Sequence, residues 1–589
     1  MNVSILLLIA GPLFLAAYYV YGKYLDGIFG SDDRIPTPAV TMNDGNDYVP
    51  TKPLVVFSHH FASIAGAGPI IGPTTALLFG YAPAWIWIVV GGIFMGAVHD
   101  YTALFISMRE KGESMATVSG KYLGRWGFGL FIGFTIAMIV LVTSAFLGLT
   151  ATALGSLVPV KDLMIDPANT LLHIKEVNGV QMGSIGGIAS TSVIVMTCFA
   201  PIVGWLMYKK NIPTWQGAAL AAVVGLVSII AGLYFPVTIN PKIWMVIIAF
   251  YTLIAAGVPV WALLQPRDFT NSFILYFGIA ILLIGVIGGA VTGVELQAPA
   301  WNIAGGEAKM GTIWPFLFIT IACGAISGFH NLVAAGTVSK QVPKESLARP
   351  VGYGGMILES LLAVVVLLAV AGGLKFDVYQ SIVYPTAKGV ASNPMLAFSL
   401  SMGMLLNKAI GTPVAFGTVF GILMVEGFVV TTLDTAVRLN RYLFEELWTV
   451  AFKGKAPAFM KSYLFNAGLS VVIMFYLGYT NVFQMIWPIF GSANQLLAAL
   501  SLIAVTVWLA HRKKPTWFTI IPAVFMLITT LVALYKLLMT KYLPAANWPL
   551  VVTDVILIVM SIGVSILALS KLFNPGSKNE AAPLAKTGD

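Results

Sequence analysis

Residues 54–75 read LVVFSHHFASIAGAGPIIGPTT. The run is apolar enough to enter a bilayer, yet it carries His59 and His60 side by side, then Gly66, Gly68, Pro69, Gly72 and Pro73. Hydrocarbon penalises both features. An intramembrane histidine needs a partner or a polar cavity, and a helix broken by Gly and Pro frees backbone groups that persist only inside protein or beside a cavity. The stretch therefore predicts an interrupted transmembrane helix whose ends line a polar space.

The remainder of the chain supplies the membrane. Only 10% of its 589 residues are charged and its mean hydropathy is +0.88, whereas a soluble domain carries about 25% charged residues. Apolar runs recur from end to end, which predicts an all-α polytopic membrane protein of about 15–16 transmembrane helices. The alternating strands of a membrane barrel are missing. The net charge of +9 is topological. Lys209, Lys210, Lys340, Lys344, Arg349, Arg438, Arg441 and Arg512 cluster in some loops, while Asp162, Asp166, Glu176, Glu295 and Glu307 occupy the others. By the positive-inside rule the basic loops are cytoplasmic, the N-terminus is outside and the C-terminus is cytoplasmic. The partners expected are a small-molecule substrate and the lipid bilayer, with no nucleic acid.

Several function classes drop out. No Lys-Ser/Thr follows the glycines at 66–72, so there is no Walker A loop. Cys198 and Cys323 sit in separate apolar runs and read as small packing residues; neither a disulfide nor a metal site is expected. An intramembrane metalloenzyme lacks support, since no HExxH or dense multi-histidine pattern occurs. The first run, VSILLLIAGPLFLAAYYVYG, has no basic n-region or small-residue cleavage site and reads as a retained helix.

Internal symmetry is the next signal. The span at 243–265, IWMVIIAFYTLIAAGVPVWALLQ, carries a Gly-Val-Pro interruption at Gly257 to Pro259. Threading the spans gives it the opposite orientation to 54–80. Two oppositely directed broken helices, five spans apart, predict a five-plus-five inverted-repeat core. The expected division is an N-terminal helix and loop (1–53), the transport core (54–435), C-terminal helices (436–573) and a disordered tail (574–589).

Interiors of the expected spans contain no Arg or Lys, so an anionic substrate would rest on helix N-termini, hydroxyls, amides and histidines. The candidates for substrate binding are Ser63, Gly66, Gly68, Gly257, Trp261, Gln265, Ser327 and Asn331. The candidates for proton or ion coupling are His59, His60, Asp100, His330 and Glu359, because buried acids and imidazoles mark proton paths. Adjacent helical residues point about 100° apart, so His59 and His60 face different neighbours. Ser327, His330 and Asn331 fall at i, i+3 and i+4, one polar face of a continuous helix. Asp434 is expected to pair with Arg438 one turn on, and Asn494 and Gln495 to serve helix packing outside the core.

The motifs SHHFASIAGAGPIIGP, GAVHDYTALFISMREKG, SGFHNLVAAGTVSKQ, GYGGMILES and WPIFGSANQLLAA resemble those of the carbon starvation protein (CstA) family, in order and across nearly the whole chain. The resemblance implies a LeuT-like core of the amino-acid/polyamine/cation superfamily. It also implies starvation-linked, proton-coupled uptake of pyruvate or short peptides at the inner membrane. It carries over His59, His60, Gly66, Gly68, Asp100 and His330 as motif positions. Two departures stand out: the family often has Gln where this chain has His99, and the chain is shorter than the larger members. No cofactor is expected; the coupling ion is a proton, with sodium as the alternative.

Overall fold

The computed structural model describes residues 1–163, 172–177, 179–386, 392–480 and 483–573. The tail 574–589 and Asp166 lie outside the described residues. In chain order the helices are α1 (Ile5–Phe29), the pair α2 (Pro53–Ile64) and α3 (Gly68–Phe79), α4 (Tyr81–Arg109), α5 (Met115–Leu154), α6 (Ile185–Lys209), α7 (Thr214–Tyr234), α8 (Pro241–Ala255) and α9 (Leu264–Thr292). There follow the short α10 (Ile303–Met310), then α11 (Ile313–Ile321) and α12 (Gly328–Gly336), α13 (Glu345–Gly373), the short α14 (Phe376–Val383) and α15 (Pro394–Ile410). The last are α16 (Val414–Ala451), α17 (Tyr463–Thr480), α18 (Ile486–His511), α19 (Trp517–Tyr542) and α20 (Trp548–Lys571). Among the described residues thirteen helical stretches are long and apolar enough to span a membrane, Ile313–Lys340 (α11 and α12) counted as one, and fourteen with the bent pair α2–α3; α8 and α15 are shorter apolar helices. One exception to the all-helical pattern is a small antiparallel sheet in the α5–α6 connection, in the order Val158–Pro159, Val180–Gly183, Ile174–Val177.

Local chemistry fixes the boundaries. Pro53 occupies the first position of α2, where its missing N–H costs nothing. The Ser114 hydroxyl accepts the Thr117 N–H and starts α5. That helix kinks at Gly124, where φ is +82°. On α20, Val552, Val559, Ile562, Ile566 and Leu569 are exposed at helical spacing, the lipid-facing stripe of a peripheral helix.

Ten helices form the five-plus-five inverted repeat, but its second interruption is not the expected one. The counterpart of α2–α3 is α11–α12. Between these two, Ala322 has φ +28° and Ser327 is extended at φ −141°, ψ 126°. The two interrupted helices run in opposite directions. Phe79 ends α3 beside Asn302, which precedes α11 (Asn302 N–H to Phe79 O, 2.8 Å), while the loop before α2 meets the end of the second helix (Thr51 N–H to Gln341 O, 2.9 Å). The third helices of the halves, α5 and α16, are the longest in the described chain and pack together; the fourth, α8 and α17, also pack together. The fifth helices, α9 and α18, each lie against the interrupted helix of their own half. The hairpin α6–α7 is inserted in the first half, and α14–α15 in the second.

The Gly257–Pro259 segment is thus a correction. It does not interrupt a span but joins α8 to α9, because the α8 helix stops at Ala255 and α9 starts at Leu264 in the other direction. A Gly-Val-Pro sequence ends a helix as readily as it breaks one. Residue 435, expected to close the core, falls inside the unbroken α16.

Candidate functional site

The two interruptions meet. A methyl group on Gly68 would lie 2.3 Å from Cys323 Cβ and Sγ, and one on Gly72 would lie 2.8 and 2.9 Å from the carbonyl oxygens of Ile321 and Thr320. A side chain has no room at either position: the Cys323 side chain fills the space at Gly68, and opposing backbone fills it at Gly72. Freed backbone groups are met by side chains. Thr431 and Thr432 of α16 donate to the carbonyls of Ala62 and Ser63 (2.9 and 3.0 Å). Asn494 of α18 accepts the Phe329 N–H at the start of α12 (2.8 Å) and donates to Ser327 Oγ (2.9 Å) and Cys323 Sγ (3.6 Å). This is the irregular backbone that hydrocarbon forbids and a packed interior permits.

Buried ionisable groups flank the crossing on two sides. On the α9 side, His59 Nδ1 is 2.9 Å from Asp268 Oδ2, whose Oδ1 accepts from Arg267 Nη2 at 2.6 Å. Arg267 also pairs with Asp434 of α16, its Nη2 lying 3.1 Å from Oδ1, and the Tyr251 hydroxyl donates to Asp434 Oδ2 at 2.8 Å. The group holds two carboxylates, one permanent cation and an imidazole. On the α13 side, Asp100 accepts from two imidazoles, His99 Nδ1 and His330 Nδ1, each at 2.8 Å; His330 Nε2 lies 3.3 Å from Glu359 Oε2. All four side chains are buried. His60 turns away from His59 toward Gly355 of α13, where its ring packs against the glycine. Neither of its nitrogens has a hydrogen-bond partner.

A cavity of about 590 Å³ opens from the face opposite the basic loops and reaches Thr75 of α3, Ile319 and Thr320 of α11, and Trp487 of α18. Thr320 is three residues from Cys323, so the cavity ends close to the crossing. Among the described residues its lining includes Lys309 and Lys541 and no carboxylate.

A family model described as carbon starvation protein CstA matches residues 2–391 and 375–533. The chain belongs to this family. A peptide transporter CstA of Bacillus subtilis is 30% identical over 96% of this chain and 97% of its own. The Escherichia coli peptide transporter CstA is 32% identical over 88% of this chain and 79% of its own; the Escherichia coli pyruvate/proton symporter BtsT is 31% identical over 89% and 80%. Among solved structures, MhsT in complex with L-phenylalanine aligns over 88% of this chain and 99% of its own, at TM-score 0.47 and 12% identity. An Eremococcus coleocola manganese transporter aligns over 90% and 99%, at TM-score 0.45 and 12% identity. The structural likenesses are too distant to indicate a substrate.

Of the residues expected from sequence, this CstA-family chain brings Ser63, Gly66, Gly68, Ser327, His59, His60, Asp100, His330 and Glu359 to the crossing or its flanks. Asn331 lies on the same helix but turns to α18, donating to Ser501 Oγ at 2.6 Å. Gly257 and Trp261 are elsewhere, in the α8–α9 connection, and Gln265 is in the first turn of α9, all on the face of the basic loops. A methyl on Gly257 would meet the Tyr463 ring, Trp261 stacks under Lys209, and Gln265 donates to Gln341 Oε1 at 2.7 Å. Ser327 is the residue before α12, not part of a continuous polar face. Asp434 pairs with Arg267 rather than Arg438; Arg438 reaches across to Asp47 (3.1 Å) and to the carbonyls of Ala255 and Val258. Sequence reasoning missed Arg267 and Asp268, Thr431 and Thr432, and the part Asn494 plays at the second break. The readable signal for the first pair was QPRDFTNS, with Pro266 early in a helix.

Proposed function

We propose that this CstA-family protein is a proton-coupled secondary importer of a small carboxylate, pyruvate in the leading reading, working by alternating access about the crossing of α2–α3 and α11–α12. It is a transporter rather than an enzyme. The observation that carries the reading is the pair of buried imidazole–carboxylate links, His59–Asp268 and Asp100–His330–Glu359, on either side of that crossing. Such groups exchange a proton with little rearrangement, and in hydrocarbon they are costly enough to be kept only for use. The two lysines that line the cavity among the described residues favour an anion at its mouth. The substrate carboxylate would then rest at the N-terminus of α3 or α12, where the helix dipole is positive. The proposed core comprises the two five-helix halves, with the basic loops cytoplasmic in the inner membrane.

Uptake of short peptides is the second reading, favoured by the name of several relatives and by a cavity that admits a di- or tripeptide as readily as a three-carbon acid. Proteoliposome uptake of labelled pyruvate against di- and tripeptides under an imposed pH gradient separates the two. Asp100→Asn is expected to abolish gradient-driven accumulation while substrate still binds. A sodium requirement at fixed pH, with no response to the pH gradient, would overturn proton coupling; the oxygens of Ala62, Ser63, Thr431 and Thr432 would then be the place to look.

A further inference from the structure

The thiol of Cys323, His330 Nε2 and the carboxylate of Glu359 lie within 4.8 Å of one another, fully buried, where the two breaks cross. We propose that these three side chains form a binding site for one thiophilic divalent cation of the zinc type, with Asp100 orienting His330.

The donor set selects the ion. A thiolate with an imidazole and a carboxylate suits Zn²⁺ or Co²⁺ and disfavours Na⁺, Mg²⁺ and Ca²⁺, which prefer oxygen alone. The three residues leave a fourth tetrahedral position for water or a ligand oxygen. Spacing agrees for the pair that is nearest. Neighbouring N and O ligands on a tetrahedral zinc lie roughly 3.3 Å apart, given bonds of about 2.0–2.1 Å, and His330 Nε2 stands 3.3 Å from Glu359 Oε2. The Cys323 sulfur lies within 4.8 Å of both.

The surroundings carry the argument further. Asp100 accepts from His330 Nδ1 at 2.8 Å, the carboxylate–histidine arrangement that fixes the ring and turns the Nε2 lone pair toward a metal. His99 bonds the other oxygen of Asp100 and fixes it in turn. Neither oxygen of Glu359 has a hydrogen-bond partner, nor has His330 Nε2. His330 Nε2 and Glu359 Oε2 stand 3.3 Å apart in the buried interior, close enough for one cation to be held by both. Asn494 Nδ2 points at Cys323 Sγ and favours the thiolate; the thiol proton leaves to solvent as the metal binds.

The site does not depend on which nutrient is carried. Tag-free protein in detergent, stripped with chelator and dialysed against buffered Zn²⁺, should retain one ion per chain. Cys323→Ser and Glu359→Gln should each weaken binding by at least ~10-fold, and Asp100→Asn by ~10–100-fold as an outer-shell change. Cys198→Ser should leave it unchanged. Co²⁺ should give a near-ultraviolet thiolate charge-transfer band that Cys323→Ser abolishes. Elution of each variant as a single size-exclusion peak checks that it is folded. Failure of the wild type to retain Zn²⁺, or undiminished binding by folded Cys323→Ser, overturns the site. Neither result touches the transport reading, which falls only with the uptake assay.

Discussion

Substitution of Gly72 by alanine probes the meeting of the two breaks most directly. The new methyl would sit 2.8 Å from Ile321 O, 2.9 Å from Thr320 O and 3.0 Å from Ile321 Cα. All three atoms are backbone, so no rotamer change relieves the contact. Restoring ordinary van der Waals distances requires α3 and α11 to separate by roughly 0.5 Å, an overpacking cost of about 1–3 kcal/mol. If that separation biases one state of the alternating-access cycle, the same energy lowers the rate of substrate-driven turnover by roughly 5–150-fold. The assay is initial uptake into proteoliposomes at saturating substrate, with reconstitution efficiency matched. Gly148→Ala on α5, where the added methyl meets nothing within 4 Å, is the control and should transport as the wild type. Gly68→Ala differs in kind, because its obstacle is the Cys323 side chain; Gly68→Ala with Cys323→Gly should recover much of the lost rate, whereas no side-chain change should rescue Gly72→Ala. Wild-type rates from Gly72→Ala would refute the backbone contact and the crossing built on it.

Other perturbations separate the network from its neighbours. Arg267→Met alone should destabilise the protein by about 3–5 kcal/mol, since it leaves Asp434 buried and unpaired, and Arg267→Met with Asp434→Leu should recover most of this, as read by thermal unfolding in detergent. Glu110 lies between α4 and α5. Burial raises its carboxyl pKa, but hydrogen bonds from Trp508 and Lys121 and the charges of Lys121 and Arg512 outweigh burial and leave it below the ordinary value. A depressed carboxylate stabilises the fold above the unfolded value, about 4.3, and loses that contribution as pH falls through the folded value. The melting-temperature gap between wild type and Glu110→Gln should therefore be open at neutral pH and close on acidification below that value. Trp261→Phe should leave the KM for uptake unchanged, because Trp261 lies in the α8–α9 connection; a several-fold rise would return that connection to the substrate path.

The first break was legible because Gly and Pro advertise it: GAGPIIGP cannot continue a helix unaided. The second was hidden for the opposite reason. Its residues, CGAISG, contain no proline, and the surrounding window has the hydropathy of an unbroken span (1.7). Its departure from helix is held by Asn494, 171 residues from Cys323, a contact that no local pattern announces. The hairpin α6–α7 misled the repeat count. Counting five spans on from 54–80 assumes that nothing is inserted, so the count stopped at α8. The divergence of His59 and His60, in contrast, followed from helical geometry alone, and only their partners had to come from the fold. Arg267 and Asp268 escaped notice because the apolar window closes at 265 and reopens at 270, leaving a buried ion pair in what looked like a connector.

Those two imidazoles share a rod of twelve residues, about 18 Å long. One end of the rod is tethered by Lys52 to the Ile212 carbonyl and by Thr51 to Gln341, and the other is a joint at residues 65–67. His59 addresses a helix of the first half, and His60 one of the second. Any roll or tilt of the rod moves both rings at once, drawing one from its seat as the other shifts. The helix thus bridges the two halves of the molecule, one ring lodged against each.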